Sequence, residues 1–302
     1  MKKKSILIGI LAGLIMAAGI VYFDLTHYIF QTADAANSQP VNIHLSDKES
    51  IRILESMLTS HENWKTIQGK AFVTYYPEEG KPQVTQVDVL INAPDSLRIE
   101  TTGSESETED HFLQVSDDKY LYEVDFGHSL FTRLPHPRTF VEDDLKRLPT
   151  TLQTVYQNEF ENIPVIYPHP LASFIASPIA ELVFPTGLAQ RRGELTVVEE
   201  AEIAGRSVWV IDWEKKDEFG QMTLKERLWI DKEMGIVLKI ERYFWNEFKE
   251  VVEEISFEEV TFNSPTTTNQ FSFTVAKGLT EESVQEYFDL PENFGQRDSL
   301  TP

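Results

Sequence analysis

The sequence predicts an α+β protein built mainly from a broad, curved antiparallel sheet, and three observations carry that prediction. Ser207 to Phe273 reads as successive long strands, SVWVIDWE, MTLKERLWID, IVLKIERYFW and VVEEISFEEVTF, ending in a short FSF. The connectors between them are short: Phe219-Gly220, Lys232 to Gly235, and Asn246 to Phe248. Thr66 to Leu134 has the same meander spacing, with turn signals roughly every eight to twelve residues. Helical periodicity is confined to a few segments.

The N-terminus sets the location of the folded part. Lys2-Lys3-Lys4 precede a 19-residue uncharged run, Ser5 to Phe23. Lysines before such a run keep the N-terminus in the cytoplasm and put the remainder of the chain outside. The run nears the roughly 20 residues that cross a bilayer, which favours an N-terminal transmembrane helix, a retained anchor in the cytoplasmic membrane. An Ala33-Asp34-Ala35 pattern ten residues beyond it leaves a cleaved signal as the alternative, with the domain then secreted or periplasmic. Residues 24–45 form a tether broken at Pro40.

The folded domain spans 46–290. It opens with a helix: Ser46 and Glu49 make a capping-box pattern, and Ile51, Ile53, Leu54, Met57 and Leu58 form its apolar stripe, ending near Asn63. Thr66–Tyr76 is the first strand, and the Pro77–Pro82 segment is a turn. In Gln83–Asn92, Val87, Val89 and Ile91 share one face, with Gln86 and Asp88 on the other. Ser96–Thr102 is the next strand, carrying Leu97, Arg98 and Ile99; then come HFLQVS, KYLYEVD and SLFTRL.

The middle of the chain differs. Thr139–Asn158 has helical spacing (Phe140, Leu145, Leu148, Leu152, Val155) that Pro149 interrupts. Ile163–Leu188 carries five prolines among apolar residues, with PLASFIA and IAELVF as short helices. Such an insert is too apolar for a solvated linker and is expected to pack onto the concave side of the sheet as a plug or lid. Strands resume at Glu194. Thr280–Leu290 reads as a short amphipathic helix through Val284, Tyr287 and Phe288, and 291–302 as a flexible tail.

Composition narrows the function. Hydrophobic residues make up 41% of 302 positions and aromatics 11%, which supports a packed core. Forty-nine acidic residues against 27 basic ones give a net charge of −22, with no basic stripe, which argues against nucleic acid. Glu199-Glu200, Glu253-Glu254 and Glu258-Glu259 read as solvated strand faces. The absence of cysteine removes disulfides, thiolate metal sites and a cysteine nucleophile.

No catalytic motif stands out. The sequence holds no G-x-S-x-G elbow, no phosphate-binding glycine loop, no G-x-G-x-x-G and no H-E-x-x-H. Neither a metal nor a cofactor is expected. Asp231–Gly235 (DKEMG) lacks the spaced oxygens of a calcium loop and reads as a tight turn. His128, His136 and His169, beside Pro or Gly, read as polar surface. Trp209, Ile211 and Trp213 lie on one face of a strand, opposite Val208, Val210 and Asp212; Trp229 and Trp245 sit on the next two strands. These tryptophans either fill a sheet core or line an apolar cavity for acyl chains, and a lining is also a core.

The order of short motifs resembles the LolA/LolB/RseB superfamily of bacterial envelope proteins over most of 46–275. The motifs are GKAFVTYY after the helix; Pro94 leading a strand with Arg98; and the Leu228–Lys239 hairpin. Phe257, Val260, Phe262 and Asn263 come next, and then Phe271 and Phe273. The resemblance implies an incomplete antiparallel β-barrel wrapped around helices, with a cavity that receives lipid or lipoprotein acyl chains. The cavity candidates are Val87, Val89, Ile91, Leu97, Ile99, Trp209, Ile211, Trp213 and Trp229, with Arg98 as a headgroup or lid contact. A non-enzymatic lipid carrier or sensor is the leading expectation. The alternatives are an RseB-type regulator with an envelope protein partner and a carboxylate-dependent hydrolase. An open apolar cavity favours carriage; one filled by the insert favours a regulator.

Overall fold

A computed structural model describes residues 48–93, 96–103, 111–117, 119–135, 145–152, 169–175, 177–191, 193–216, 220–243 and 249–282. The expected membrane segment and tether, most of 139–158, Trp245 and the expected helix beyond Glu282 lie outside them. Among the described residues, no helix is long and apolar enough to cross a membrane.

Among the described residues, twelve strands form one sheet. The first meander is β1 (Thr66–Tyr75), β2 (Gln83–Asn92), β3 (Ser96–Gly103), β4 (His111–Ser116), β5 (Tyr120–Asp125) and β6 (Leu130–Pro135). The second is β7 (Glu194–Ile203), β8 (Arg206–Lys216), β9 (Met222–Asp231), β10 (Val237–Tyr243) and β11 (Val251–Phe262). The two are not separate sheets: β1 pairs antiparallel with β11 from Ile67↔Phe262 to Tyr75↔Glu253. With β12 (Thr280–Glu281), the order is β12-β6-β5-β4-β3-β2-β1-β11-β10-β9-β8-β7, and among the described residues the two edges stay unjoined.

Gly69, in the motif that opens β1, explains part of this seam. A Cβ there would stand 2.5 Å from the Glu259 carbonyl oxygen and 3.2 Å from the Phe257 ring. The β1–β11 register also shifts between Lys70 and Ala71. A residue without a side chain lets the two strands close around that bulge.

Two C-terminal expectations are corrected. Phe271 ends a 3-10 turn (Thr268–Phe271) set by a Thr267–Gln270 capping box, so FSF is not a strand. Thr280–Glu281 is β12, paired parallel with Leu130–Phe131, rather than the start of a helix. The segment covers apolar surface: Phe273 and Leu279 pack on Leu113, Val115, Tyr122, Val124 and Phe131. That contact holds Phe273 against the sheet face without adding it to the ladder.

Strand alternation assigns the main faces. Ile67, Val87–Val89–Ile91, Leu97–Ile99, Ile240, Ile255, Phe257, Ile211 and Leu228 all belong to one buried cluster. At about 4.8 Å per strand, β3 and β8 would stand nearly 30 Å apart on a flat sheet. They share a core, so the sheet curves round what fills it. The filling comes from α1 (Lys48–Leu58), which buries Ile53, Met57 and Leu58, and from the insert. The insert contributes a 3-10 turn (Pro170–Phe174), α2 (Ile179–Val183) and α3 (Thr186–Ala189). Leu171, Ile175, Ile179, Leu182, Val183, Phe184 and Leu188 are buried in the same cluster. Of the interrupted stretch before it, Leu148 and Leu152 are buried too.

The β9–β10 hairpin seats α1. Gly235 has φ of +70°, and a Cβ there would meet the Ser56 carbonyl at 2.1 Å, so both conformation and close approach require glycine. Asp231, fully buried, accepts bonds from the backbone N–H of Glu233 (2.9 Å) and Met234 (2.7 Å) and pairs with Arg206. DKEMG is a tight turn, as its spacing predicts.

Candidate functional site

The helix-covered face is the candidate site. Its β2–β3 wall is aliphatic: Val87, Ile91, Leu97, Ile99 and Val89 are at most 3% exposed. The register aligns Val89 with Gly69 and Ile99, and Ile91 with Ile67 and Leu97, so these side chains share one face. On the far wall Trp209, Ile211 and Trp213 pair with Ile230, Leu228 and Glu226. Arg52 of α1 and Lys232 of the hairpin lie 5.3 and 5.6 Å from the Trp209 ring. The structure thus brings seven of the nine cavity candidates into one apolar cluster, with Trp213 buried at the charged end of the same face beside Glu226.

Trp229 and Arg98 are placed differently. Trp229 pairs with Val210 and Lys239, so it faces away from Trp209, Ile211 and Trp213. The Lys239 ammonium lies 4.8 Å from its ring centre. Arg98 pairs with Leu90, opposite Leu97 and Ile99. It bonds Glu100 at 3.1 Å and lines a polar groove of about 540 Å³ with Asp88, Glu100, Glu259 and Thr261. Both corrections have one cause: an odd-numbered offset along or across strands reverses the face.

The sequence reading missed a polar network inside this face. Glu226, 2% exposed, receives Arg191 Nη1 and Arg242 Nε, each at 3.0 Å. Glu181 of α2 receives Arg242 Nη2 at 2.7 Å and Arg191 Nη2 at 3.3 Å, and Arg242 Nη1 also bonds Glu253. The Arg191 guanidinium lies 5.6 Å from the Trp213 ring centre. Burial would lower the Arg242 pKa, but Glu181, Glu226 and Glu253 together raise it above its ordinary value. Glu253 is therefore no plain solvated face, whereas Glu199-Glu200 and Glu258-Glu259 are exposed as expected. The signal was available: Glu226–Leu228–Ile230 and Leu238–Ile240–Arg242 each carry a charge at the apolar parity of a strand.

A second seam holds the other end of the insert. His169, read from sequence as surface, is 3% exposed and stacks on Phe184 with ring centres 4.0 Å apart. His61, in the 3-10 turn after α1, lies 5.3 Å from His169, and Trp64 lies 5.6 Å from Phe184. Four buried polar atoms here, Ser60 Oγ, His61 Nδ1, Trp64 Nε1 and Thr186 Oγ1, have no hydrogen-bond partner among the described residues. Among the described residues, no three histidines or carboxylates gather as metal ligands.

A family described as "Protein of unknown function (DUF1571)" matches residues 182–277, the second strand ladder with α3. No curated protein matches the chain. Three similar solved structures share the lipoprotein theme or the MucB name. The crystal structure of MucB is 13% identical over 76% of this chain, at TM-score 0.40. Lipoprotein LppX from Mycobacterium tuberculosis is 10% identical over 74% of this chain and 99% of its own, at 0.39. A putative outer membrane lipoprotein-sorting protein domain from Vibrio parahaemolyticus is 13% identical over 74% and 97%, at 0.29. The chain spans 64% of MucB, less than two thirds of it. At these identities and TM-scores the likenesses transfer no residue role to this chain.

Proposed function

We propose that the protein acts outside the cytoplasm, tethered by residues 5–23, as a non-enzymatic binder of lipid or lipoprotein acyl chains. The observation that carries this reading is the continuous apolar face from β3 round to β8, occupied by a short-helix insert rather than by closed strand packing. Leu182, Val183, Ile179 and Leu171 are buried in the same cluster as the aliphatic β2–β3 wall and Trp209, where an acyl chain would take their place. Each methylene moved from water onto that face contributes roughly 0.8 kcal/mol before the costs of binding. The insert is then a lid that a chain displaces, and its polar network sits where it can open without unpicking the sheet.

The filled face also favours a second reading, an RseB-type regulator in which lipid displaces the insert and thereby changes contact with an envelope protein partner. Sensor and carrier share the first step, acyl binding. Titration with a fluorescent sixteen-carbon fatty acid tests it, alongside native mass spectrometry of detergent-free protein. Saturable binding that Leu182→Trp weakens supports the reading. No probe binding and no co-purifying lipid, in wild type and in a lid-loosened Arg242→Met variant alike, would sink it.

A further inference from the structure

The insert is held at two places of different chemistry. Its α2 end is bound by guanidinium–carboxylate pairs. Its other end rests on the stack His61–His169–Phe184–Trp64, which holds two imidazoles. The insert's 3-10 turn fixes the imidazole, since His169 Nδ1 accepts the Leu171 N–H at 3.2 Å. That bond requires an unprotonated Nδ1.

We propose that this stack is an acid-released catch: protonation of His169 or His61 frees residues 169–189 from α1 and opens the apolar face. The inference rests on the binding role argued above and concerns its regulation.

Three observations support it. Among the described residues, protonated His169 has no carboxylate to pair with, and the titratable group bearing on it is His61. On His61 the exposed Glu62 carboxylate and a hydrogen bond with the Leu58 backbone oppose the shift, and burial outweighs them. Burial drives the His169 pKa from 6.5 down to about 3, and the neighbouring His61 pushes it the same way. His61 is lowered as well, again chiefly by burial.

The second observation is that the seam has little to oppose release. Ser60 Oγ, Trp64 Nε1 and Thr186 Oγ1, in residues at most 2% exposed, have no hydrogen-bond partner among the described residues. Opening returns each to water, so their desolvation works against the closed state. The third is position. Phe184 and Thr186 flank Pro185 between α2 and α3, so moving this seam moves both insert helices.

The direction of the pH effect is set by linkage. A histidine whose closed-state pKa is depressed leaves the closed form at full strength above the free value of 6.5. The closed form then weakens as pH falls, until the closed-state pKa is reached. For His169 alone, the opening constant rises about tenfold per pH unit below 6.5, or about 30-fold between pH 7.5 and pH 5.0. His61 adds to this.

Hydrogen exchange on the full chain without added lipid reads the catch directly. After correction for the intrinsic pH dependence of exchange, amides at 179–189 are expected to lose about 30-fold protection between pH 7.5 and 5.0. Amides at 208–211 on β8 should not change. His169→Phe, which keeps an aromatic ring on Phe184, should cut that loss to the His61 share, and His61→Leu with His169→Phe should abolish it. Where the phenylalanine variant does not fold, His169→Gln takes its place. Constant protection of 179–189 in wild type, or an unaltered pH response in the double variant, overturns the proposal. Because no lipid is present, failure of the fatty-acid titration would leave this result standing, and failure here would leave acyl binding standing.

Discussion

The two walls of the helix-covered face are built on opposite principles. Val87, Val89, Ile91, Leu97 and Ile99 present only aliphatic surface, and nothing there directs what packs on it. The β8–β11 wall also has a tryptophan pair, but it places Glu226, Arg242 and Glu253 at its end and binds Arg191 and Glu181 from the insert. An aliphatic wall gains free energy from any apolar occupant of suitable volume, protein or acyl chain. A buried ion network is selective, because each charge is tolerable only with its particular partners. The difference suggests that one wall supplies affinity and the other decides which segment sits there in the resting protein.

Breaking the network should have the largest effect. Arg242→Met leaves Glu181, Glu226 and Glu253 around an uncharged side chain and is expected to cost about 3–5 kcal/mol in urea unfolding. Adding Glu226→Leu should recover part of it, since the remaining carboxylates are more exposed. A cost under about 1 kcal/mol for Arg242→Met would mean the charges find water and the wall is not selective. On the other wall, Ile91→Ala, fully buried against Ile67 and Leu97, should cost about 2–5 kcal/mol. The two losses should differ in salt response: added salt should alter the effect of Arg242→Met and leave that of Ile91→Ala unchanged.

How far the sequence revealed these walls depended on the range of the information. Strands β1 to β11 were legible almost to the residue because alternation and turn residues are local. So was the common face of Trp209, Ile211 and Trp213, which needs only parity within one strand. Trp229 was not, because its face depends on the β8–β9 register, in which it meets Val210. The Arg242–Glu181 contact joins residues 61 apart and needed the insert's placement, which no local pattern supplies. His169 failed for a related reason: a proline-flanked loop histidine is usually exposed, and burial came only when the insert closed over it. FSF has strand-like composition, but the outer patch on β4–β6 and the Thr267 cap claimed its backbone first.

The smallest predicted effect tests whether the face is the unit of function at all. Arg98 lies on the same strand as Leu97 and Ile99 but points into the outer groove, and its ion pair with Glu100 has both side chains about one third exposed (34% and 32%). Such a pair contributes about 0.2–1 kcal/mol. His111, 2.8 Å from the other Glu100 oxygen, keeps that carboxylate partnered when the arginine is removed. Arg98→Ala should therefore lower stability by less than about 1 kcal/mol. Fatty-acid affinity should stay within about twofold of wild type, since the Arg98 side chain lies on the other face of β3 from Leu97 and Ile99. A tenfold loss of affinity with unchanged stability would show that the outer groove takes part in binding, and that the ligand crosses the sheet edge instead of lying wholly beneath the insert.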